Sequence, residues 1–259
     1  MKMIELTMLN KIFFIFVLLF FSFTQTNAQS FGFGCLGLVG GYGGYSYQQY
    51  QPGMLGTYIN QFNSKATLSS DARKIDDFGK AEGYRFGLNF FRAKFSGFFI
   101  TAKGYYQVLS ESHDGSQLNR SGVYNYDYDL KLKSWGVGLD IGIPIFNGLQ
   151  WKILDGSLLI SAARLTETVN SFAGTSVQKF NNEKTEFGYS LGSGVIVELL
   201  KNYISLEGIV GYSYLKINRM RTDENFQFKD LLDSADENEP FIKSGGFNAV
   251  IQLNVGFPL

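Results

Sequence analysis

The chain has 259 residues, with 23 basic and 23 acidic residues, one cysteine and one histidine. A net charge of zero leaves no basic excess to neutralise phosphates, which argues against a nucleic-acid-binding protein. A single cysteine excludes an intrachain disulfide and argues against a cysteine-based metal site. The 25 phenylalanines, 15 tyrosines and 30 glycines beside only 4 prolines are typical of a chain built from alternating β-strands.

Residues 1–28 have the pattern of a secretory signal peptide. Lys2 and Lys11 precede an apolar run over residues 12–23, and a short polar stretch ends at Ala28. The apolar run is shorter than the about 20 residues that a membrane-spanning helix needs. Lipid attachment at Cys35 is disfavoured because this cysteine lies well beyond the run. We therefore predict cleavage after Ala28 and a single domain over residues 29–259.

Alternating segments fill the rest of the chain. We predict eight strands, over residues 31–47, 84–90, 98–108, 135–143, 157–168, 187–198, 204–214 and 246–259. The last is the clearest, because apolar residues occupy every second position and polar residues or glycine fall between most of them. This period of two predicts a strand with one apolar and one polar face. Its predicted lipid-facing residues are Ile251, Leu253, Val255 and Phe257.

The facing of three segments is less clear. The first is rich in glycine, so its facing is left open. Upstream of the fourth, residues 124–132 alternate with the opposite parity, which indicates either a β-bulge near residues 133–134 or a strand extension outside the membrane. In the fifth we place Leu159, Ala163 and Leu165 on the outside, which turns Arg164 inward.

The predicted connections alternate in length. Residues 92–95, 146–156 and 200–202 form short links, whereas residues 48–80, 110–122, 169–184 and 217–244 form long polar ones. Short turns at one end and long loops at the other are typical of outer-membrane barrels. Aromatic residues also lie at the ends of the apolar stripes, as interfacial girdles do. The proposed outer girdle is Tyr84, Tyr106, Trp135, Phe187, Tyr214 and Phe247, and the inner one is Phe90, Phe98, Tyr203 and Phe257.

These features predict the fold: an all-β, eight-stranded, antiparallel up-and-down transmembrane β-barrel. A soluble eight-stranded carrier would show the same alternation turned inside out. The girdles, the alternating connections and the glycines on the polar face, where a narrow lumen has little room, favour the membrane barrel.

Charged residues on the polar faces predict the contents of the lumen. They are Arg85, Lys103, Asp140, Glu198 and Glu207, with Arg164 added if the register of the fifth strand is right. Buried charges have to be paired, and eight strands leave a lumen that side chains fill. We therefore expect a salt-bridged plug rather than an ion path.

Three stretches resemble a known group: Ala28-Gln29 after the signal peptide, the turn and strand over residues 201–207, and the closing residues 253–257. The chain resembles the small outer-membrane β-barrel proteins of Gram-negative bacteria, of the OmpA/OmpX-like kind and especially those of the Bacteroidota. The resemblance implies export to the outer membrane. It does not imply one function, because the group includes structural proteins, adhesins, channels, secretion accessories and a few lipid-modifying enzymes.

Three features invite sharper interpretations. His113, in the predicted loop over residues 110–122, follows Ser112 and precedes Asp114, so a lipid hydrolase is conceivable, although a solvated loop is the preferred interpretation. Residues 54–62 have near-helical apolar spacing, which indicates a short amphipathic helix over the barrel mouth or a patch for a partner. The last long loop carries seven acids, Asp223, Glu224, Asp230, Asp233, Asp236, Glu237 and Glu239. Calcium could bind there, but no EF-hand spacing is present and a solvated loop is preferred.

The sequence thus predicts a non-enzymatic outer-membrane protein without catalytic residues, metal ligands or cofactors. We expect it to contact outer-membrane lipid, and a protein or surface partner through loops 48–80 and 217–244, but no nucleic acid. One alternative is a narrow channel or lateral route for small hydrophobic solutes. The other is the lipid hydrolase that uses His113.

Overall fold

The computed structural model describes residues 39–66, 72–119, 122–201, 203–224, 226–232 and 239–257. The predicted signal peptide, Cys35 and the first half of the predicted first strand lie outside these residues. No helix in the described ranges is long and apolar enough to cross a membrane.

The described residues form ten strands, one α-helix and one 3-10 helix. In chain order these are β1 (Val39–Pro52), α1 (Met54–Ala66), β2 (Lys80–Lys94), β3 (Phe99–Asn119), β4 (Gly122–Phe146), β5 (Leu149–Ser171), β6 (Gly174–Asn182), β7 (Glu186–Leu200), β8 (Ile204–Tyr214), β9 (Met220–Arg221), the 3-10 helix (Phe228–Leu231) and β10 (Ile242–Phe257).

Eight of the strands close into a ring, which confirms the predicted antiparallel barrel. The order around the ring is β1, β2, β3, β4, β5, β7, β8 and β10, and β10 returns to pair with β1. Strand β6 lies outside the ring, where it pairs with the second half of β5, and the short β9 pairs with the end of β6.

An aromatic row divides the barrel into two zones. Tyr106, Trp135, Ile160 and Phe187 are cross-strand neighbours on the outside of β3, β4, β5 and β7. The lower zone runs from this row to the three short turns, and the upper zone carries α1, β6 and β9. Below the row the outer face is apolar: Val137 is 63% exposed, Leu158 71% and Ile251 55%.

Strand β4 shows how the two zones differ. Its pairing with β5 has no register shift between Asn125 and Ile141, so the predicted bulge is absent and the strand extension is the correct alternative. The same parity faces inward throughout, but Tyr128, Leu130 and Leu132 are apolar inside the upper zone, whereas Asp140 is charged inside the lower one. Every second residue of β4 thus faces inward along the whole strand, but the inward residues change from apolar to polar where the strand passes the aromatic row.

The extension of the strands corrects two predicted loops. Residues 110–119 belong to β3, and residues 169–171 and 174–182 belong to β5 and β6, so the predicted loops 110–122 and 169–184 are largely strand. Their outward polar residues resemble a loop in sequence because they face water on one side of a strand. The predicted link 146–156 is also mostly strand. Its turn is centred on Asn147 and on Gly148, whose φ of +88° suits the Asn-Gly turns of tight hairpins.

The predicted facing of β5 is wrong by one residue. Leu159, Ala163 and Leu165 are buried on the inside, and Arg164 is exposed on the outside. The error arises because β5 passes the aromatic row within this segment, and above that row the apolar residues Ala163 and Leu165 face inward. A β-bulge lies just before the segment: Ile141 of β4 lies opposite Leu154, but its neighbour Gly142 lies opposite Lys152.

The upper zone encloses an apolar core, and α1 lies within it. Met54, Leu55, Ile59 and Phe62 are buried, so the predicted amphipathic helix exists but its apolar face is turned inward. The other members of this core are strand and loop residues, among them Leu109, Tyr128, Leu130, Leu132, Leu165, Phe180, Ile217, Met220, Phe228, Phe241 and Ile242. The helix and the strands therefore cover the upper end of the lumen with a packed core like that of a soluble protein.

Candidate functional site

The centre of the lower zone is filled by five charged side chains, which we call the ion cluster: Lys103 of β3, Asp140 of β4, Lys152 and Asp155 of β5, and Glu207 of β8. The Lys103 Nζ lies 2.7 Å from an Asp140 oxygen and also contacts Asp155. The Lys152 Nζ lies 2.7 Å from the other Asp140 oxygen and 3.2 Å from Asp155, and it contacts Glu207. All five residues are buried.

The five buried charges are stabilised because each of them contacts at least one group of opposite charge. Removing a charge from water costs several kcal/mol, and that cost is offset only by close opposite charges and satisfied hydrogen bonds. Here each lysine contacts at least two carboxylates. The second Glu207 oxygen accepts hydrogen bonds from the side-chain amides of Gln252 (3.2 Å) and Asn254 (3.1 Å) of β10. The cluster thus ties β3, β4, β5, β8 and β10 together across the lumen.

The bulge in β5 makes the cluster possible. Ile153 and Leu154 both face outward, so Lys152 before them and Asp155 after them both point inward. The two charges also appear as near neighbours in sequence, within the segment predicted as a link. Alternation of Trp151 and Ile153 with Lys152 was the one signal that could have placed Lys152 inside.

Further charged and aromatic groups fill the lumen on either side of the cluster. The Arg85 guanidinium lies 4.2 Å from the centroid of the Tyr105 ring and donates to the Gln107 side chain at 2.8 Å. The Tyr105 ring packs against Gly136 of β4. Any side chain at position 136 would clash with it, because a Cβ there would lie 2.3 Å from the ring. The predicted glycine-rich inner face therefore makes room for aromatic rings within a narrow lumen.

At the lower mouth, Arg92 turns inward, although residues 92–95 are predicted as a turn. Its guanidinium lies 4.2 Å from the Phe99 ring centroid and contacts Gln150, which donates to Glu198 at 2.7 Å. Arg92, Gln150 and Glu198 line a cavity of about 50 Å³, which has room for a few water molecules only.

The structure thus places the predicted lumen residues Arg85, Lys103, Asp140, Glu198 and Glu207 on the inner face and brings three of them together in the ion cluster. Arg164 is the exception, and Arg92, Lys152 and Asp155 are inner residues that the sequence analysis did not identify. Of the residues predicted to face lipid, Ile251, Leu253 and Val255 are exposed on the outer face. The side chain of Phe257 lies outside the described part of the structure.

The three carboxylates of the ion cluster lie close enough together to hold a metal ion. Lys152 already contacts all three of them, and Lys103 contacts two. The amines therefore take the position that a cation would need, and the arrangement is that of an internal salt-bridge network.

Two carboxylates are buried in the upper zone and form no ion pair with a lysine or arginine among the described residues. Glu167 accepts hydrogen bonds from Tyr128 (2.7 Å) and from Tyr58 of α1 (3.1 Å). Glu111 accepts from Tyr50 (2.5 Å) and from the backbone amides of Gly79 and Lys80. Burial and the adjacent carboxylates raise the pKa of Tyr50, Tyr58 and Tyr128, so these phenols remain donors. The two networks fasten α1 and the segment before β2 to the barrel.

His113 belongs to the Glu111 network. It lies on β3 rather than on a loop, 3.0 Å from a Glu111 oxygen and edge-on to Phe78. Ser112 points to the opposite face of the strand, where it donates to Asp129 at 3.1 Å. The Ser-His-Asp sequence therefore does not form a Ser-His-acid constellation, and the observed contacts of His113 are those of a structural residue.

The acidic last loop is partly structured. Asp230 accepts a hydrogen bond from the Gln227 amide at the start of the 3-10 helix, and Glu239 pairs with Lys243 at 2.9 Å. Asp233, Asp236 and Glu237 lie outside the described residues. Within the described ones, the loop contributes to the apolar core through Ile217, Met220 and Phe228.

No protein-family model matches the chain, and no curated protein matches it. Several solved structures are similar at low identity. Ail, the attachment invasion locus protein of Yersinia pestis, is 11% identical, with 86% of this chain and 99% of that chain covered and a TM-score of 0.39. Neisserial surface protein A is 13% identical, with 84% of this chain and 97% of that chain covered and a TM-score of 0.36. The outer membrane protease OmpT of Escherichia coli is 11% identical, with 86% of this chain and 95% of that chain covered and a TM-score of 0.39.

Proposed function

We propose that this chain is a non-enzymatic integral outer-membrane protein, in which a closed barrel carries a structured platform outside the membrane. The observation that carries the proposal is the inversion at the aromatic row. Below it the barrel is apolar outside and charged inside. Above it the outside is mainly polar, with a few exposed apolar residues such as Leu118, Val123 and Val177, and the inside is apolar. The first arrangement suits a lipid environment and the second suits water.

The filled interior supports a structural or binding role. The ion cluster and the Arg85–Tyr105 contact occupy the lower lumen, and α1 packs into the upper end. A narrow channel or a lateral solute route would have to break several buried ion pairs. The hydrolase alternative loses support because Ser112 and His113 face opposite sides of β3.

A partner, if one binds, would meet the outer surface of the upper zone. The apolar face of α1 is committed to the core, so we place the contact on the upper sheet, formed by β6 and the parts of β3, β4 and β5 above the aromatic row. In the described parts of loops 48–80 and 217–244, the exposed residues are polar except for Phe226, so these loops add a mainly polar edge to this surface.

Labelling of cysteines on intact cells tests the location and the orientation together. In a Cys35→Ser background, Ala173→Cys places a thiol at the tip of the β5–β6 hairpin, and Asn147→Cys places one in the β4–β5 turn at the opposite end. A membrane-impermeant maleimide should label Ala173→Cys on intact cells and Asn147→Cys only after the outer membrane is permeabilised. The reverse pattern, or recovery of the protein in the soluble periplasmic fraction, would overturn the proposal.

A further inference from the structure

Four basic side chains lie together on the outer face just above the aromatic row, and we call them the basic patch: Lys131 and Lys133 of β4, Arg164 of β5 and Lys179 of β6. Lys131 and Arg164 are directly opposite each other on paired strands. Lys179 lies diagonally from Arg164, because it pairs with Thr166. Like charges directly opposite on neighbouring strands are destabilising, so this arrangement needs a compensating anion.

Among the described residues, few carboxylates pair with the basic side chains of the patch. The Lys131 Nζ lies 2.8 Å from an Asp129 oxygen, and its side chain is 49% exposed. The Arg164 Nε donates to the neutral Asn181 side chain at 2.7 Å. Within the described ranges, Lys133, Arg164 and Lys179 form no ion pair with a carboxylate.

The height of the patch on the barrel indicates what the anion is. Lys133 is two residues from Trp135 on the same face of β4, about 7 Å along the strand. Trp135 packs against Tyr106, with ring centroids 4.7 Å apart, in the row above the apolar belt. Aromatic girdles lie at the headgroup level, so the patch lies where lipid phosphates lie. The arginine fork and the lysine amines both suit a phosphate.

Acidic residues limit the approach from the other side. Asp114 and Asp127 are cross-strand neighbours on the outer face farther from the aromatic row, and Asp129 lies between them and the patch. Asp114 contacts the Arg73 guanidinium and Asp129 pairs with Lys131, so Asp127 is the acid there without an ion pair among the described residues. A large anionic partner that arrives from the solvent would meet Asp127 before the patch. A lipid phosphate reaches the patch from below without passing it.

We propose that the basic patch binds the phosphate of an anionic lipid in the leaflet next to the upper zone. The Ser110 hydroxyl, opposite Lys131 on β3, is a further donor in the same row, and the exposed Glu82 of β2 beyond it marks the edge of the patch. The inference rests on the proposed membrane location and adds a preferred lipid class to it.

The two tryptophans allow a local test. Trp135 borders the patch, whereas Trp151 is exposed on the outside of β5 near the lower turns. The variant Trp151→Phe reports on Trp135 alone, and Trp135→Phe reports on Trp151 alone. Quenching is measured in phosphatidylcholine vesicles that contain chain-brominated phosphatidic acid or chain-brominated phosphatidylcholine. We expect phosphatidic acid to bind next to Trp135 at least about fivefold more strongly than phosphatidylcholine, with no preference at Trp151.

Two double variants that remove the same charge, one in the basic patch and one elsewhere, distinguish binding at the patch from a general effect of net charge. Lys131→Gln/Arg164→Gln should reduce the preference at Trp135 to about one. Lys74→Gln/Lys201→Gln removes the same charge at exposed positions away from the patch and should retain the preference. An unchanged preference in the first variant, or an equal one at Trp151, would overturn the inference. Quenching by both brominated lipids without any preference would overturn it while leaving the membrane location intact, whereas absence of quenching at both tryptophans would contradict the location itself.

Discussion

At the residue scale, Lys152 is the most connected charge in the lumen. It contacts Asp140, Asp155 and Glu207, so its removal leaves three buried carboxylates with only Lys103 to compensate them. Breaking a buried ion network by removing one partner costs about 3–5 kcal/mol. We expect Lys152→Met to lower the free energy of unfolding by about that amount, measured by reversible denaturation in lipid vesicles.

Lys201, in the exposed turn between β7 and β8, provides the control. Lys201→Met makes the same chemical change at the surface and should alter the free energy of unfolding by less than about 0.5 kcal/mol. Equal effects of the two substitutions would show that the ion cluster does not hold the barrel together.

Ile251 and Gln252 give a second contrast between neighbours. Ile251 is exposed on the apolar belt, and Gln252 is buried directly opposite Glu207. Lysine at position 251 should cost roughly 2–4 kcal/mol if the site lies at the bilayer midplane. Lysine at position 252 should cost less, because its amine can pair with Glu207. The same vesicle denaturation compares the two, and a larger loss for Gln252→Lys would mean that the inside and outside of the barrel are reversed.

At the scale of the element, α1 acts as a cap within the upper zone rather than as a part of the ring. Ile59 is buried in the apolar core, and its neighbour Asn60 is exposed on the same helix. Ile59→Asp buries an unpaired charge, which costs several kcal/mol. We expect it to release α1, so that protease added to proteoliposomes cuts between β1 and β2 while the ring of strands stays folded.

Asn60→Asp is the matched change on the solvent side and should leave α1 protected. Rapid cleavage of both variants would show that the helix is not held by its apolar face. Loss of the whole barrel in Ile59→Asp would show instead that the ring depends on the cap.

Strands β4 and β5 show what the sequence could and could not predict. Period two in residues 135–143 identified a strand correctly, because exposed apolar residues outside and polar residues or glycine inside give a clean alternation. Above the aromatic row the same alternation persists with opposite polarity, so Leu130 and Leu132 indicate the inside only if the position of that row is known. In β5 the same inversion turns Ala163 and Leu165 inward, so the predicted facing was wrong and Arg164 was placed inside. Lys152 was missed because it lies in the segment predicted as a link.

At the scale of the whole molecule, the same strands form two zones that differ in what they bury inside the barrel and what they expose outside. In the lower zone the outside is apolar, so the polar groups that hold the strands together are concentrated in the lumen. In the upper zone the outside is mainly polar, and the long strands bury apolar residues against α1 and the 3-10 helix. Closure of β1 on β10 leaves no free edge in the ring.

The central claim is that this closed barrel is filled along its length. Purified protein in a planar lipid bilayer tests it most directly. The ion cluster and the apolar core predict insertion without stable single-channel steps. Reproducible, ohmic steps on the nanosiemens scale from the wild-type protein would contradict this account.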